Sequence, residues 1–139
     1  MRPGGRLCIA TWQPLATNDW LTIPGATLLS YGSLPEGGDG PGMFAQSDPA
    51  AIAEMLTAAG FETIDIAPVT VNMHLGPSTA AAAAHLAETG PGRAVLETIP
   101  DHRRPEAIAA VEAALAEHLT PGGVQLGGAT WITTARRPT

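Results

Sequence analysis

The segment Met1-Arg2-Pro3-Gly4-Gly5-Arg6-Leu7-Cys8-Ile9-Ala10-Thr11-Trp12 joins a Pro-Gly-Gly turn directly to an apolar run at residues 7–12. A continuous apolar run bounded by turn residues is typical of a strand that is buried on both faces. Such a strand needs neighbouring strands, so this segment predicts a sheet. Because Cys8 lies inside the run, we expect its thiol to be buried and inert.

Residues 13–47 follow as a Pro- and Gly-rich stretch without clear periodicity. This pattern predicts a long loop or lid with a short helix near residues 24–31. Within the stretch, Gly38-Asp39-Gly40-Pro41-Gly42 spells G-x-G-x-G, a pattern of nucleotide-binding turns. Because no strand precedes these glycines and Pro41 lacks an N–H donor, we interpret them as a flexible turn.

Residues 48–74 predict a helix followed by an edge strand. Asp48 is a suitable cap, Pro49 suits the first helical turn, and Gly60 provides a left-handed stop. The apolar residues at helical spacing predict the buried face of this helix: Ile52, Met55, Leu56 and Ala59. In the following strand, Pro68 lacks a ladder donor, which favours an edge position with a bulge.

Residues 78–119 predict a pair of helices, and residues 124–135 predict the last strand. The first helix is expected at residues 78–88, between Ser78 as cap and Gly90 as stop. A short turn at 92–98 and a solvated, charged connection at 101–104 precede the second helix, at 105–119. Four apolar residues predict the buried stripe of that second helix: Ile108, Val111, Leu115 and Leu119. The order of elements indicates an α/β fold in a single domain.

The composition excludes several classes of protein. All seven basic residues are Arg, and a P-loop NTPase, a protein kinase and a Schiff-base enzyme each need a Lys. A single Cys excludes internal disulfides and cysteine-rich metal clusters. The net charge of −6 argues against nucleic acid or an anionic membrane as a partner. No apolar run is long enough to span a membrane or to act as a signal peptide, so we expect a cytoplasmic protein.

Few residues indicate a chemical site. The four histidines (His74, His85, His102 and His118) show no zinc-binding spacing, so no metal site is predicted. His74 ends the edge strand, where it is placed to line a cavity. Trp12, Trp20 and Phe44 flank or lie within the long loop, and Trp131 lies in the last strand. Core packing and a wall around an apolar ligand are the two interpretations of these aromatic residues. No acid–base arrangement assigns a catalytic residue.

The Pro-Gly-Gly turn and the strand after it resemble the "L-[RK]-P-G-G-x-[LFV]" turn and fifth strand of class I S-adenosylmethionine-dependent methyltransferases, with Met1 where that motif usually has Leu. The segments "TWQPLATNDW", "SDPAAIAEMLTAAGF" and "GGATWITTARRP" extend this likeness to the ubiquinone/menaquinone-type branch (methyltransferase type 11 or 25). The likeness covers essentially the whole chain. It implies the C-terminal part of a Rossmann-like sheet with an inserted helical pair.

The family's strand order, 3-2-1-4-5-7-6, assigns this chain strands 5, 7 and 6. Strand 5 would lie in residues 1–12, and strand 7, at about 129–135, would run antiparallel between it and strand 6 at 61–73. The resemblance places residues 13–47 and 78–119 on the acceptor-substrate side. We therefore expect six residues to contact a small apolar acceptor, three as walls and three as polar orienting groups: Trp12, Trp20, Phe44, Gln13, Asn18 and His74.

The family binds S-adenosylmethionine through motifs that precede the Pro-Gly-Gly turn, so none of its cofactor-binding residues is carried over to this chain. The resemblance therefore implies the substrate-side half of a methyltransferase, inactive on its own. The alternative is a non-catalytic small-molecule-binding or dimerisation module derived from the same fold. Strand 5 would have an exposed edge in either case, and we expect it to pair with an N-terminal half or with a second copy.

Overall fold

A computed structural model describes residues 1–34 and 42–139; Gly38–Pro41 of the predicted flexible turn lie outside the described residues. Within these described residues, nine helices and strands follow in chain order: β1 (Arg6–Trp12), α1 (Asp19–Leu29), α2 (Pro49–Ala58), β2 (Glu62–Gly76), α3 (Thr79–Glu88), α4 (Gly90–Thr98), α5 (Arg104–Leu115), β3 (Leu119–Thr120) and β4 (Gly123–Arg136). Three single-turn 3-10 segments accompany them, at Leu15–Thr17, Asp101–Arg103 and Ala116–His118.

The four strands form one antiparallel sheet in the order β1-β4-β2, with β3 paired to β4. β1 and β4 run antiparallel, from Arg6 opposite Arg136 to Trp12 opposite Thr130. The predicted α/β class and the position of the last strand between the first strand and the edge strand are therefore confirmed. Pro68 lies within β2, at the end of the strand order where a missing ladder donor is tolerated.

The chain divides into two compact units. Unit 1 consists of Met1–Thr17, Pro41–Val71 and Ala129–Thr139, and unit 2 of Asn18–Gly40 and Asn72–Gly128.

In unit 1, α2 covers one face of the sheet. Its buried residues, Ile52 and Leu56, form a small core with Ala135, and half-buried side chains such as Leu7 and Trp131 pack around them. The helix begins as predicted: the Asp48 side chain accepts a hydrogen bond from the amide of Ala50 (2.9 Å), and Pro49 occupies the first turn. Gly60 follows the helix at φ +79°, also as predicted.

The prediction that β1 is buried on both faces is wrong. Half-buried Leu7, Ile9 and Thr11 alternate with exposed Arg6, Cys8 and Ala10. Cys8 is therefore exposed and not buried. The reason is that α2 covers only the face that carries Leu7, while the opposite face of β1 stays open.

Unit 2 is built around a helical core. α1 and α3 both pack against α5, and α4 packs against α1 and α3. Thirteen buried residues form this core, with contributions from β2 and β4: Leu28, Leu75, Ala82, Ala83, Leu86, Val95, Leu96, Ile99, Ala107, Val111, Leu115, Val124 and Leu126. The Ser78 hydroxyl accepts a hydrogen bond from the amide of Ala81 (3.2 Å), which confirms it as the cap of α3.

α1 lies inside residues 13–47, so the loop prediction is wrong for residues 19–29. The helix begins at Asp19, earlier than the short helix expected near residues 24–31. Pro24 interrupts the helical sequence pattern, yet it is buried together with Leu28. Packing against α4 and α5 outweighs the low helix propensity of Pro and Gly in this segment.

The segment 78–119 contains three helices rather than the predicted pair. Residues 92–98, predicted as a turn, belong to α4, and Gly90, predicted as a stop, is the first residue of that helix. Pro91 lies in the first turn of α4, where its missing N–H is harmless. The second helix of the prediction ends at Leu115, and Leu119 is 50% exposed in β3 because the chain turns there into a hairpin with β4.

Candidate functional site

The six residues predicted to contact a ligand are divided between the two units. Trp12, Gln13 and Phe44 belong to unit 1, whereas Asn18, Trp20 and His74 belong to unit 2. The candidate site lies within unit 1.

A cleft of about 360 Å³ lies at the carboxyl end of β1. The last residues of the strand form one side and a turn after the undescribed segment forms the other: Ala10, Thr11, Trp12, Gly42, Met43, Ala45 and Gln46. Trp12 is thus the one predicted contact residue in the cleft lining. Phe44 is half-buried and lies between two lining residues without lining the cleft itself.

Hydrogen bonds hold both sides of the cleft to β4. The Gln13 amide donates to the carbonyl of Ala129 (2.9 Å), and its side-chain Nε2 donates to the carbonyl of Thr130 (2.9 Å). On the other side, the indole Nε1 of Trp131 donates to the carbonyl of Ser47 (2.8 Å), which ties the turn to the sheet. Gln13, predicted as an orienting group, therefore fixes the end of β1.

The turn itself depends on a glycine. Gly42 has φ +59°, in the left-handed region that glycine adopts without strain, and its carbonyl accepts a hydrogen bond from the amide of Ala45 (3.3 Å). This turn points Met43 and Ala45 into the cleft lining, opposite Ala10 and Trp12.

The lining is apolar with two neutral polar side chains. Trp12 and Met43 supply the large apolar surfaces, and Gln46 supplies an amide. The Thr11 hydroxyl is buried and has no hydrogen-bond partner among the described residues. Among the described residues, no charged side chain lines the cleft, so the chemistry of this lining suits a small apolar molecule that carries one polar group.

Asn18 and Trp20 interact with each other in unit 2. Asn18 is fully buried, and its Oδ1 accepts a hydrogen bond from the indole Nε1 of Trp20 (3.2 Å). The Asn18 carbonyl accepts from the amides of Leu21 (3.1 Å) and Thr22 (3.0 Å) at the start of α1. Both side chains therefore position the start of that helix.

His74 is exposed on β2 and lies against Gly123 at the start of β4. A Cβ atom at position 123 would approach His74 Nε2 to 2.6 Å, and Gly123 has φ +100°. The position therefore requires glycine, and His74 packs over the hairpin. In the described ranges, no group of three or more His, Cys, Asp or Glu side chains is arranged to hold a metal ion.

Sequence reasoning missed most of the cleft. Met43, Ala45 and Gln46 follow the G-x-G-x-G pattern, and nothing in their spacing indicates that the turn stands beside β1. The available signal was Trp12, a large aromatic residue at the carboxyl end of a strand.

In comparisons with known proteins, no protein-family model and no curated protein matches this chain. Among the described residues, no helix has the length and apolar character needed to cross a bilayer.

Proposed function

We propose that this chain carries the acceptor-substrate side of a class I S-adenosylmethionine-dependent methyltransferase of the ubiquinone/menaquinone type, and that the acceptor is a small apolar molecule. The observation that carries the proposal is the strand order β1-β4-β2, with β4 antiparallel to β1. This is the order that the resemblance implies for strands 5, 7 and 6 of that family.

The position of the cleft supports the same proposal. In open α/β sheets, ligands bind outside the carboxyl ends of strands. The cleft lies at the carboxyl end of β1, and Trp12 and Met43 offer apolar surface to an acceptor there. Gln46 would hydrogen-bond the polar atom of the acceptor that receives the methyl group.

The proposed role of the cleft is to position the acceptor and to exclude water from it. Methyl transfer to oxygen, nitrogen or carbon depends on an in-line arrangement of the reacting atoms and on removal of water from the nucleophile. An apolar lining removes water from the part of the acceptor that it covers. The described lining residues include no acid or base, so the proposal assigns no proton transfer to them.

The described cleft does not fit S-adenosylmethionine. The cofactor carries ribose hydroxyls, which proteins of this kind bind with a carboxylate, and the lining residues that the structure describes include none. The proposal therefore assigns acceptor binding to these residues and no cofactor binding, and we expect the 139-residue chain to transfer no methyl group by itself.

Isothermal titration with 1-naphthol, a planar apolar molecule with one hydroxyl, tests the acceptor site. We expect saturable binding that Met43→Ala weakens about fivefold, since about 1 kcal/mol of apolar contact is lost. Leu29→Ala is the matched control, because Leu29 lies in unit 2 and is about as exposed as Met43 (43% against 42%). Equal weakening by both variants, or no binding by the parent chain, would overturn the acceptor site.

A thermal-shift titration with S-adenosylhomocysteine tests the absence of a cofactor site. A ligand at 100 times its dissociation constant adds about 2.7 kcal/mol to the free energy of unfolding, which raises the melting temperature by on the order of 10 °C. We expect no shift. A shift of that size would show a complete cofactor site and overturn the assignment of these residues to the acceptor side alone.

The second candidate is a non-catalytic small-molecule-binding or dimerisation module of the same fold. The observation that favours it is the neutral, apolar cleft lining, which binds without supplying an acid or a base. Addition of a separately produced cofactor-binding portion of a class I methyltransferase distinguishes the two. Methyl transfer from added S-adenosylmethionine to 1-naphthol, with kcat/KM reduced about fivefold by Met43→Ala, supports the methyltransferase, and binding of 1-naphthol without transfer supports the module.

A further inference from the structure

One edge of β1 pairs with β4, and the other pairs with no strand in the part of the chain that the structure describes. The amide of Arg137 donates to the carbonyl of Gly5 (2.8 Å), and the amide of Gln13 donates to the carbonyl of Ala129 (2.9 Å). In an antiparallel pair, the residues that hydrogen-bond to the neighbouring strand alternate with residues whose amide and carbonyl groups point away from it. The odd-numbered residues of β1 therefore face β4, and Arg6, Cys8 and Ala10 direct their backbone groups to the opposite edge.

This second edge has the features of a pairing surface. A row of unpaired amide and carbonyl groups is a template for another extended strand. Natural edges are commonly protected by proline, by bulges or by charges, and residues 7–12 contain no proline and no charged side chain. The register with β4 is continuous from Arg6 to Trp12, without a bulge.

The charge distribution favours a second copy as the occupant. Unit 1 contains four arginines and four carboxylates: Arg2, Arg6, Arg136, Arg137, Asp48, Glu54, Glu62 and Asp65. Its formal charge is therefore zero, and unit 2 carries the entire net charge of −6. Two copies that approach through unit 1 meet no net repulsion, whereas an approach through unit 2 opposes two strongly negative surfaces.

We propose that two copies of this chain pair through the free edges of β1, antiparallel and around a twofold axis at Cys8. This inference goes beyond the proposed function and concerns the 139-residue chain alone: the second copy occupies the edge of β1 that would pair with strand 4 in the resembled family, so this dimer and a completed methyltransferase sheet exclude each other at that edge. The register pairs the outward-facing residues at 6, 8 and 10 with one another: Cys8 faces Cys8 of the second copy, and Arg6 faces its Ala10. No like charges are opposed. Among the described residues, the turn at residues 42–46 shares the cleft with Ala10, Thr11 and Trp12, at one end of the segment 6–10 that would pair.

The only cysteine of the chain tests this register directly. Residues opposite each other in a hydrogen-bonded antiparallel pair have Cα atoms about 5.5 Å apart, within the range of about 4.4–6.8 Å that a disulfide spans. Cys8 is exposed. Air oxidation catalysed by copper phenanthroline is therefore expected to convert the dimer into a disulfide-linked dimer on a non-reducing gel.

Charge substitutions at Ala10 test the same register without oxidation. In the proposed dimer, position 10 faces Arg6 of the second copy twice, once for each chain. Sedimentation equilibrium is expected to show that Ala10→Glu tightens the dimer about fivefold and Ala10→Lys loosens it about fivefold. Thr134→Lys is the control, because Thr134 is exposed opposite Cys8 but lies on β4, away from the free edge. It is expected to change the dissociation constant by less than about twofold.

Three results would overturn the proposal. One is a parent chain that stays monomeric at about 100 μM, since an edge that pairs with micromolar affinity is saturated there. Another is a dimer that Thr134→Lys disrupts and Ala10→Lys does not, which would place the contact on the face of the sheet. The third is a dimer that shows no Cys8 disulfide and responds equally to Ala10→Glu and Ala10→Lys.

Discussion

Units 1 and 2 differ in the size of their buried cores and in the number of destabilising features that they contain. Unit 2 has thirteen buried residues in its core, whereas unit 1 has three. Unit 1 contains two buried hydroxyls without a partner among the described residues, a pair of arginines directly opposite each other, and the open edge of β1. These features lower the stability of the fold, and proteins retain destabilising features at surfaces that bind a ligand or a partner. The difference indicates that unit 2 is the scaffold and unit 1 the binding part.

The core of unit 2 is expected to show the largest loss on substitution. Leu115 is completely buried in α5, so Leu115→Ala should lower the free energy of unfolding by about 3 kcal/mol, measured by urea denaturation. Leu119→Ala is the control, since Leu119 is 50% exposed, and should change it by less than about 0.5 kcal/mol. Equal losses would contradict the hairpin at residues 119–124 and restore the longer helix that the sequence predicts.

Substitution of Arg104, also in unit 2, is expected to give the next largest loss of stability. Its Nε donates to the carbonyls of Leu96 (2.9 Å) and Ile99 (3.0 Å) at the end of α4, and it pairs with Asp101 (2.9 Å). Arg104→Ala should lower the free energy of unfolding by about 1.5 kcal/mol. Arg93→Ala removes only an exposed ion pair with Glu97 and should cost about 0.3 kcal/mol. If thermal unfolding gives the two variants the same stability, Arg104 does not hold the α4–α5 connection.

In unit 1 a substitution is expected to raise the free energy of unfolding rather than to lower it. Thr133 is completely buried and its hydroxyl has no partner among the described residues, so Thr133→Val should raise the free energy of unfolding by about 1 kcal/mol. Thr134→Val, at the exposed neighbouring position, should leave it nearly unchanged. Destabilisation by Thr133→Val in urea would mean that the hydroxyl has a partner, such as a bound water, and would weaken the contrast between the units.

The smallest effect concerns the two arginines that face each other across β1 and β4. Arg6 and Arg136 form a cross-strand pair, and both are exposed. Arg136→Glu replaces like charges by opposite charges and should stabilise the chain by about 0.5 kcal/mol at low salt. Arg2→Glu makes the same change in net charge away from this pair. If its effect matches that of Arg136→Glu and does not depend on salt, then net charge alone is responsible.

The sequence predicted the parts of the fold that local chemistry determines. Asp48 and Ser78 cap helices because their short side chains accept backbone hydrogen bonds at those positions. Alternating and continuous apolar runs located β1, β2 and β4, and the resemblance supplied their order. Local sequence patterns could not predict which elements pack against each strand or helix. Cys8 is exposed because only one face of β1 is covered, which depends on packing far along the chain.

The remaining differences between the sequence predictions and the structure also arise from tertiary packing. The glycines and prolines of α1 and α4 suggest loops, and burial against α5 and α3 makes these segments helical. Arg104 was expected in a solvated connection, yet the carbonyls at the end of α4 need a donor and this side chain reaches them. The cleft depends on the Gly42 turn standing beside β1, and only Trp12 indicated it.

Hydrogen–deuterium exchange with and without saturating 1-naphthol tests most directly whether unit 1 is the binding part. Without ligand, the amides of α3 and α5 should exchange more slowly than those at residues 42–46, since buried helices open less often than exposed turns. With ligand, protection should rise at residues 10–12 and 42–46 and stay unchanged in α3 and α5. Added protection confined to unit 2, or none anywhere, would contradict the account.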